Sequence, residues 1–183
     1  MTRTQATRAF FPVMVVLVLA LAACVDSKAA QEHFEKGNEL AQAQQFEQAI
    51  VEFEAALEED PKFVSARINM GVAYYQLGRL DEAIAQYEKA IEQEPDDADI
   101  HSNLAAAHVQ LNQLDEALKE YLLAIELNPD LAEAHFGLGV VYIHTGKTDD
   151  AIQAIERFQE LDTGTDPTAT NLAQQYLQQL KGP

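Results

Sequence analysis

The sequence predicts an all-α fold built from stacked helical hairpins, and three observations carry that expectation. Gly37, Gly71, Ala105, Gly139 and Ala173 stand at equal steps of 34 residues along a chain of 183, and further columns keep the same phase. Within each step, apolar residues fall at helical spacing in two runs separated by a short turn. Gly and Pro are sparse, at 8 and 6 residues, and no segment alternates apolar with polar as a half-buried strand does.

The first segment lies outside the period. Arg3 and Arg8 precede an apolar run from Ala9 to Ala23, and no acidic residue occurs before Asp26. A basic start, an apolar middle and small residues at the end describe an export signal over 1–23. A membrane-spanning helix is the alternative, but the run contains Pro12 and is shorter than the ~20 residues that spanning needs. Leu21-Ala22-Ala23-Cys24 resembles the lipobox of bacterial lipoproteins. That resemblance implies that Cys24, the single cysteine, is acylated and becomes the first residue after cleavage. It also implies the periplasmic side of a bacterial cell envelope, and Val25 after the cysteine favours the outer membrane under the enteric sorting rule. Two or three acyl chains anchor stably where one is marginal. Residues 24–29 are then a tether that reaches ~15–20 Å at most, which holds the rest near the leaflet.

The clearest repeat is 64–97. Its first helix carries Met70, Gly71 and Tyr74, a turn falls at Leu77-Gly78-Arg79, and the second helix carries Ala83, Tyr87 and Ala90 before Pro95 ends it. Small residues at Gly71, Ala83 and Ala90 let the two axes approach while the large ones fill the space between. Asp81 is the expected N-cap of the second helix, with Glu82 in its first turn.

The other repeats follow in order. Repeat 30–63 places Gly37, Leu40, Ala49, Phe53, Ala56 and Pro61 in the same columns. Repeat 98–131 has Leu104, Ala105, His108, Ala117, Tyr121, Ala124 and Pro129. Repeat 132–165 keeps Leu138, Gly139, Tyr142 and Ala151, then departs with Ile155, Phe158 and Thr163. Residues 166–183 form a capping helix: Asp166 is its expected N-cap, Pro167 suits the first helical position, and Leu172, Ala173 and Tyr176 stay in phase. Its glutamines supply the polar outer face that a terminal repeat needs.

A helix-turn-helix period of 34 with this order of Gly, Tyr, Ala, aromatic, Ala and Pro resembles the tetratricopeptide repeat (TPR) family. The resemblance spans about residues 30–181. It implies a right-handed superhelix of four repeats plus the cap, and a concave face lined by the first helix of each repeat. By position that lining is Phe34, Asn38 and Gln42, then Ile68, Val72, Tyr75 and Gln76, then Ser102, Val109 and Gln110, then Phe136, Val140, Ile143 and His144. The face is apolar with amides at intervals, which suits a peptide read by pockets and backbone hydrogen bonds. Contact with the next repeat, or with a second copy of the chain, is the other use for those side chains. The carboxylate clamp of chaperone-binding relatives needs basic residues, and only Asn38 matches it here.

Little else in the sequence suggests chemistry. His33, His101 and His135 share one column, which the resemblance assigns to tryptophan, and they sit too far apart on successive helices to close on one metal. No nucleophile stands beside a base, and no Gly-rich phosphate loop or paired cysteines occur. Neither catalysis nor a cofactor is expected. The chain has 12 basic and 30 acidic residues; after Cys24 the count is 10 against 30, a net charge of −20. Such a surface repels phosphate backbones, so nucleic acid is an unsuitable partner, whereas solubility or a basic partner fits. The acids concentrate on second helices and turns, at Glu54, Glu58, Asp60, Glu88, Glu92, Glu120, Glu126, Glu156 and Glu160. The expected function is a membrane-anchored scaffold that docks peptide segments of envelope proteins in the groove. The alternative is an accessory subunit that stabilises an envelope enzyme, pilus or translocation complex through its acidic convex face.

Overall fold

The computed structural model describes residues 28–164 and 166–182. The signal segment, Cys24 and the first part of the tether lie outside the described residues. Among those described, all regular structure is helical: α1 (28–42), α2 (Phe46–Glu59), α3 (Val64–Gln76), α4 (Leu80–Ile91), α5 (Ala98–Gln110), α6 (Leu114–Leu127), α7 (Ala132–His144), α8 (Thr148–Leu161) and α9 (Pro167–Lys181). None is long and apolar enough to cross a membrane. The chain forms two compact units, Met1–Ala66 and Arg67–Pro183.

In the first unit, Gly37 on α1 faces Phe53 on α2, where an added Cβ would lie 2.5 Å from the ring carbon Cε1. Phe53 is fully buried, and Phe34 packs on it and on Phe63 with ring centroids 6.0 and 4.7 Å apart. Lys28 and Ala29 are already helical, so α1 starts before the first repeat column; an ion pair from Lys28 to Glu32 spans its first turn.

The second unit repeats this lesson three times. A Cβ at Gly71 would come 2.6 Å from Tyr87, and one at Gly139 would come 2.5 Å from Ile155. Ala105 and Tyr121 share a buried cluster with Ala117, Ala124, Ala134, Leu138 and Val141. Each helix from α4 to α9 packs on the next, and α5 also meets α7. A small residue on each first helix therefore receives the large one from its second helix. That close approach is why the small column recurs.

Turns between paired helices share one backbone solution. Gln44, Gly78, Asn112 and Gly146, again 34 residues apart, all adopt positive φ, between 58° and 74°. Glycine takes this left-handed turn without strain, while Gln44 and Asn112 do so at some cost. The turn also moves the start of the second helix forward. α4 begins at Leu80 with Arg79 in the N-cap position and no side-chain cap, so Asp81 lies in the first turn and is not the expected cap. Its carboxylate there still favours the helix dipole. The expected cap at the last helix is present: the Asp166 carboxylate accepts from Thr168 N at 2.8 Å and Ala169 N at 3.2 Å, with Pro167 just inside. Asp97 caps α5 in the same way.

The cap helix covers an apolar end. Ile155, Phe158, Ala173 and Leu177 are buried together, and Phe136, Ile143 and Tyr176 pack against them. Phe158, which breaks the small-residue column, is 4% exposed and stacks 5.1 Å from Phe136. The missing small residue is thus filled by a ring that reaches toward α9.

Candidate functional site

The first helices place the predicted lining residues at several depths. In the first unit Phe34 and Asn38 are half-buried and Gln42 is exposed. In the second, Ile68, Val72, Tyr75, Val109, Phe136, Val140 and Ile143 are half-buried, whereas Gln76, Gln110 and His144 are exposed. Ser102 is buried. Half-burial of an apolar side chain on a solvent-facing helix leaves area for a partner to cover.

One cavity of about 310 Å³ gathers several of them. Tyr75 from α3, Ser102, Val109 and Gln110 from α5, and Phe136 and Val140 from α7 all line it, together with Asn103, Ala106 and Glu133. Its floor is the Tyr121 ring, exposed to the cavity because residue 137 is glycine. A Cβ at Gly137 would sit 2.1 Å from Tyr121 Cζ and 2.3 Å from its hydroxyl. Burial pushes the Tyr121 hydroxyl above its usual pKa, so it stays protonated at any physiological pH. The positional reading missed Gly137 and Tyr121. A second glycine two residues before Gly139 was the available signal.

A second cavity of about 240 Å³ adjoins the first and shares Glu133 and Phe136 with it. Phe158, Leu161 and Ala169 supply apolar wall, and Asp162 and Asp166 stand at its edge. Ile143 lines neither of these two cavities and, half-buried, packs onto the α8–α9 cluster.

The histidine column serves the fold. His101, 4% exposed, donates from Nδ1 to Glu120 Oε2 at 2.7 Å and from Nε2 to the Pro95 carbonyl at 2.9 Å. Both ring nitrogens thus face acceptors, one a carboxylate and one a carbonyl, which holds the ring orientation between α6 and the end of the preceding repeat. Burial works against the Glu120 carboxylate, but its bonds to His101 and Lys119 outweigh that and hold the carboxyl below its usual pKa. Glu120 is therefore a buried partner rather than part of the solvated acidic face. His33 makes the same bond to Glu52 at 2.7 Å. His135 keeps only the carbonyl bond, to Pro129 at 2.9 Å, because its partner position is Ala154. His108 bonds to Gln113 at 2.7 Å. The shared spacing of 19 residues between His33 and Glu52 and between His101 and Glu120 was legible in the sequence. Among the described residues, no group of three or more His, Cys, Asp or Glu is placed to hold a metal.

The remaining acids of the second helices divide by exposure. Glu54, Glu58, Glu88, Glu92, Glu126, Glu156 and Glu160 are exposed, and Asp60 is half-buried. Arg157 and Lys181 offset part of that charge by pairing with Glu160 and Glu156.

Comparison with known proteins places this architecture. A family model described as TPR repeat matches residues 37–78, 73–112 and 107–146, and one described as tetratricopeptide repeat matches 132–164. A search of curated protein sequences finds no significant match. Among solved structures, MamA aligns over 84% of this chain and 87% of its own, with 23% identity and a TM-score of 0.68. YrrB, described as a TPR protein with an unusual peptide-binding site, covers 82% of both chains at 26% identity and a TM-score of 0.61. The first TPR of Spaghetti (RPAP3), bound to the HSP90 peptide SRMEEVD, covers 65% of this chain and 94% of its own, at 27% identity and a TM-score of 0.58.

Proposed function

Because this chain belongs to the tetratricopeptide repeat family, we propose that it is a protein–protein interaction scaffold, anchored by lipid on Cys24 at the periplasmic side of the bacterial envelope. Its first-helix face docks peptide segments of envelope proteins. The observation that carries this reading is the cavity lined by Tyr75, Val109, Phe136 and Val140 and floored by Tyr121. It is a concave apolar site with a few polar edges, the form that peptide and small-ligand sites take. Peptide binding by YrrB and by the RPAP3 repeat supports the same use of the fold. The ligand class differs from the acidic HSP90 peptide held by the RPAP3 repeat, since no basic residue lines either cavity.

The lipid anchor rests on Leu21-Ala22-Ala23-Cys24 after an apolar run, and the outer membrane is its expected destination. A second reading, docking through the second-helix acids, is favoured by the exposed Glu88 and Glu92 on α4. One set of variants separates these ideas. Val140→Lys places a charge in the cavity and should lower binding of the co-purified partner by about 10-fold or more, since apolar anchors carry most of such an interaction. Glu88→Lys with Glu92→Lys should leave it nearly intact, because exposed charges contribute little singly. Cys24→Ser should accumulate as precursor and fail to incorporate labelled palmitate. Loss of partner in the α4 variant alone would transfer the docking role to the acidic face, and normal maturation of Cys24→Ser would remove the anchor.

A further inference from the structure

The two cavities beside Phe136 have different chemistry. The first has the Tyr121 ring, Val109 and Val140 as its apolar surfaces and the amides of Asn103 and Gln110 among its lining, with Glu133 shared between it and the second. The second is apolar inside but carries three acids, Glu133, Asp162 and Asp166, and no base.

Two of these acids are held by hydrogen bonds. Asp166 spends its carboxylate on two backbone N–H groups of α9, and Asp162 accepts from Gly164 N and from the Thr170 hydroxyl. Glu133, exposed in the first turn of α7, makes no ion pair among the described residues. One nearby carboxylate senses it: burial, then Asp97, then Glu133 hold Asp99 above its usual pKa. Four bases of this unit pair with other acids. Arg157 binds Asp130 and Glu160, Lys181 binds Glu156, Lys119 binds Glu120, and Arg79 binds Glu82. A cationic head would meet only opposite charge here, and its aliphatic stem would lie on Phe136 and Leu161, which is how Lys and Arg cover apolar surface.

We propose that these adjoining cavities read an apolar–x–basic segment, with an apolar side chain entering the first and a Lys or Arg side chain entering the second. In an extended peptide residues i and i+2 point to the same side, roughly 7 Å apart, so neighbouring cavities that share Glu133 and Phe136 can each take one of them. The inference rests on the peptide-groove reading and adds the ligand's charge and pattern to it.

The test uses the full-length chain in detergent and fluorescent peptides whose central triplet is Leu-Ser-Arg, Leu-Ser-Glu, Leu-Ser-Ser or Ser-Ser-Arg. The same set is repeated with Ile, Val or Phe for Leu and with the triplet reversed. Fluorescence anisotropy should show the apolar–x–Arg peptides binding about 10-fold more tightly than their Glu counterparts. That preference should shrink as salt is raised, because screening acts on exposed charges. Glu133→Gln, checked for folding by circular dichroism, should remove most of the Arg-over-Glu preference, and a preference left intact by it would overturn the basic-pocket proposal. Equal binding of Arg and Glu peptides would overturn the basic-pocket proposal. If Val140→Lys still removed all binding in that case, the groove reading would stand. Failure of every peptide to bind, or binding indifferent to Val140→Lys, would overturn both.

Discussion

Repeat three (α5–α6) buries a hydrogen-bonded His101–Glu120 pair at the position where repeat four (α7–α8) buries Ala154 beside a His135 that holds only a carbonyl. Three more columns diverge between the two repeats. Asn103 becomes Gly137, Ala124 becomes Phe158, and Pro129 becomes Thr163. The third repeat is fastened internally by polar contacts. The fourth exchanges that fastening for apolar surface on both sides, one part closed by α9 and the other left as a cavity. Two hairpins with one backbone plan thus do different work. The plan is set by the small-to-large contact of each hairpin, and the remaining positions are free to specialise.

The largest expected effect tests the fastening. His101→Ala leaves Glu120 buried without its main partner and should cost about 3–5 kcal/mol, whereas His135→Ala should cost under about 1 kcal/mol. Urea unfolding followed by circular dichroism gives both values, and similar losses would erase the contrast between the repeats. Replacing the pair together, by His101→Leu with Glu120→Leu, should recover most of the loss, because both desolvated groups are then gone.

A smaller effect tests the cavity. Gly137→Ala drives a methyl into the Tyr121 ring and should destabilise by about 1–3 kcal/mol. Asn103→Ala, in the same column of repeat three, should change stability by less than about 1 kcal/mol. A neutral Gly137→Ala would mean that the Tyr121 ring moves aside easily, and the cavity floor would not be fixed.

The smallest effect is in acid. The folded Glu120 carboxyl has a pKa below its ordinary value of 4.5, so its contribution is complete above that value and is lost as pH falls through the lower folded one. Glu120→Gln should therefore flatten part of the stability loss below about pH 4.5. Glu52 and Glu82, which are lowered by their own partners, should supply part of what remains. An unchanged acid limb would show that the His101–Glu120 bond adds no charge-dependent stability.

The sequence by itself determined the helix pairs, their period and the meeting of Gly37 with Phe53, Gly71 with Tyr87 and Gly139 with Ile155. It also determined the Asp166 cap. These features are local or repeat with the chain's own period, so residue spacing encodes them directly. The start of α4 escaped because the left-handed turn at Gly78, not the acid at Asp81, sets where the helix begins. Only the tertiary structure decided the fates of side chains that share one face. Val140 lines a cavity while Ile143, nearly one turn on, packs part of its surface against the α8–α9 cluster. Glu120 lies inside although other second-helix acids, Glu88 and Glu126 among them, lie outside. Periodicity states which way a residue points, but the volume and polarity of what it meets come from another helix. Gly137 and Phe158, two departures from the repeat, set that volume here.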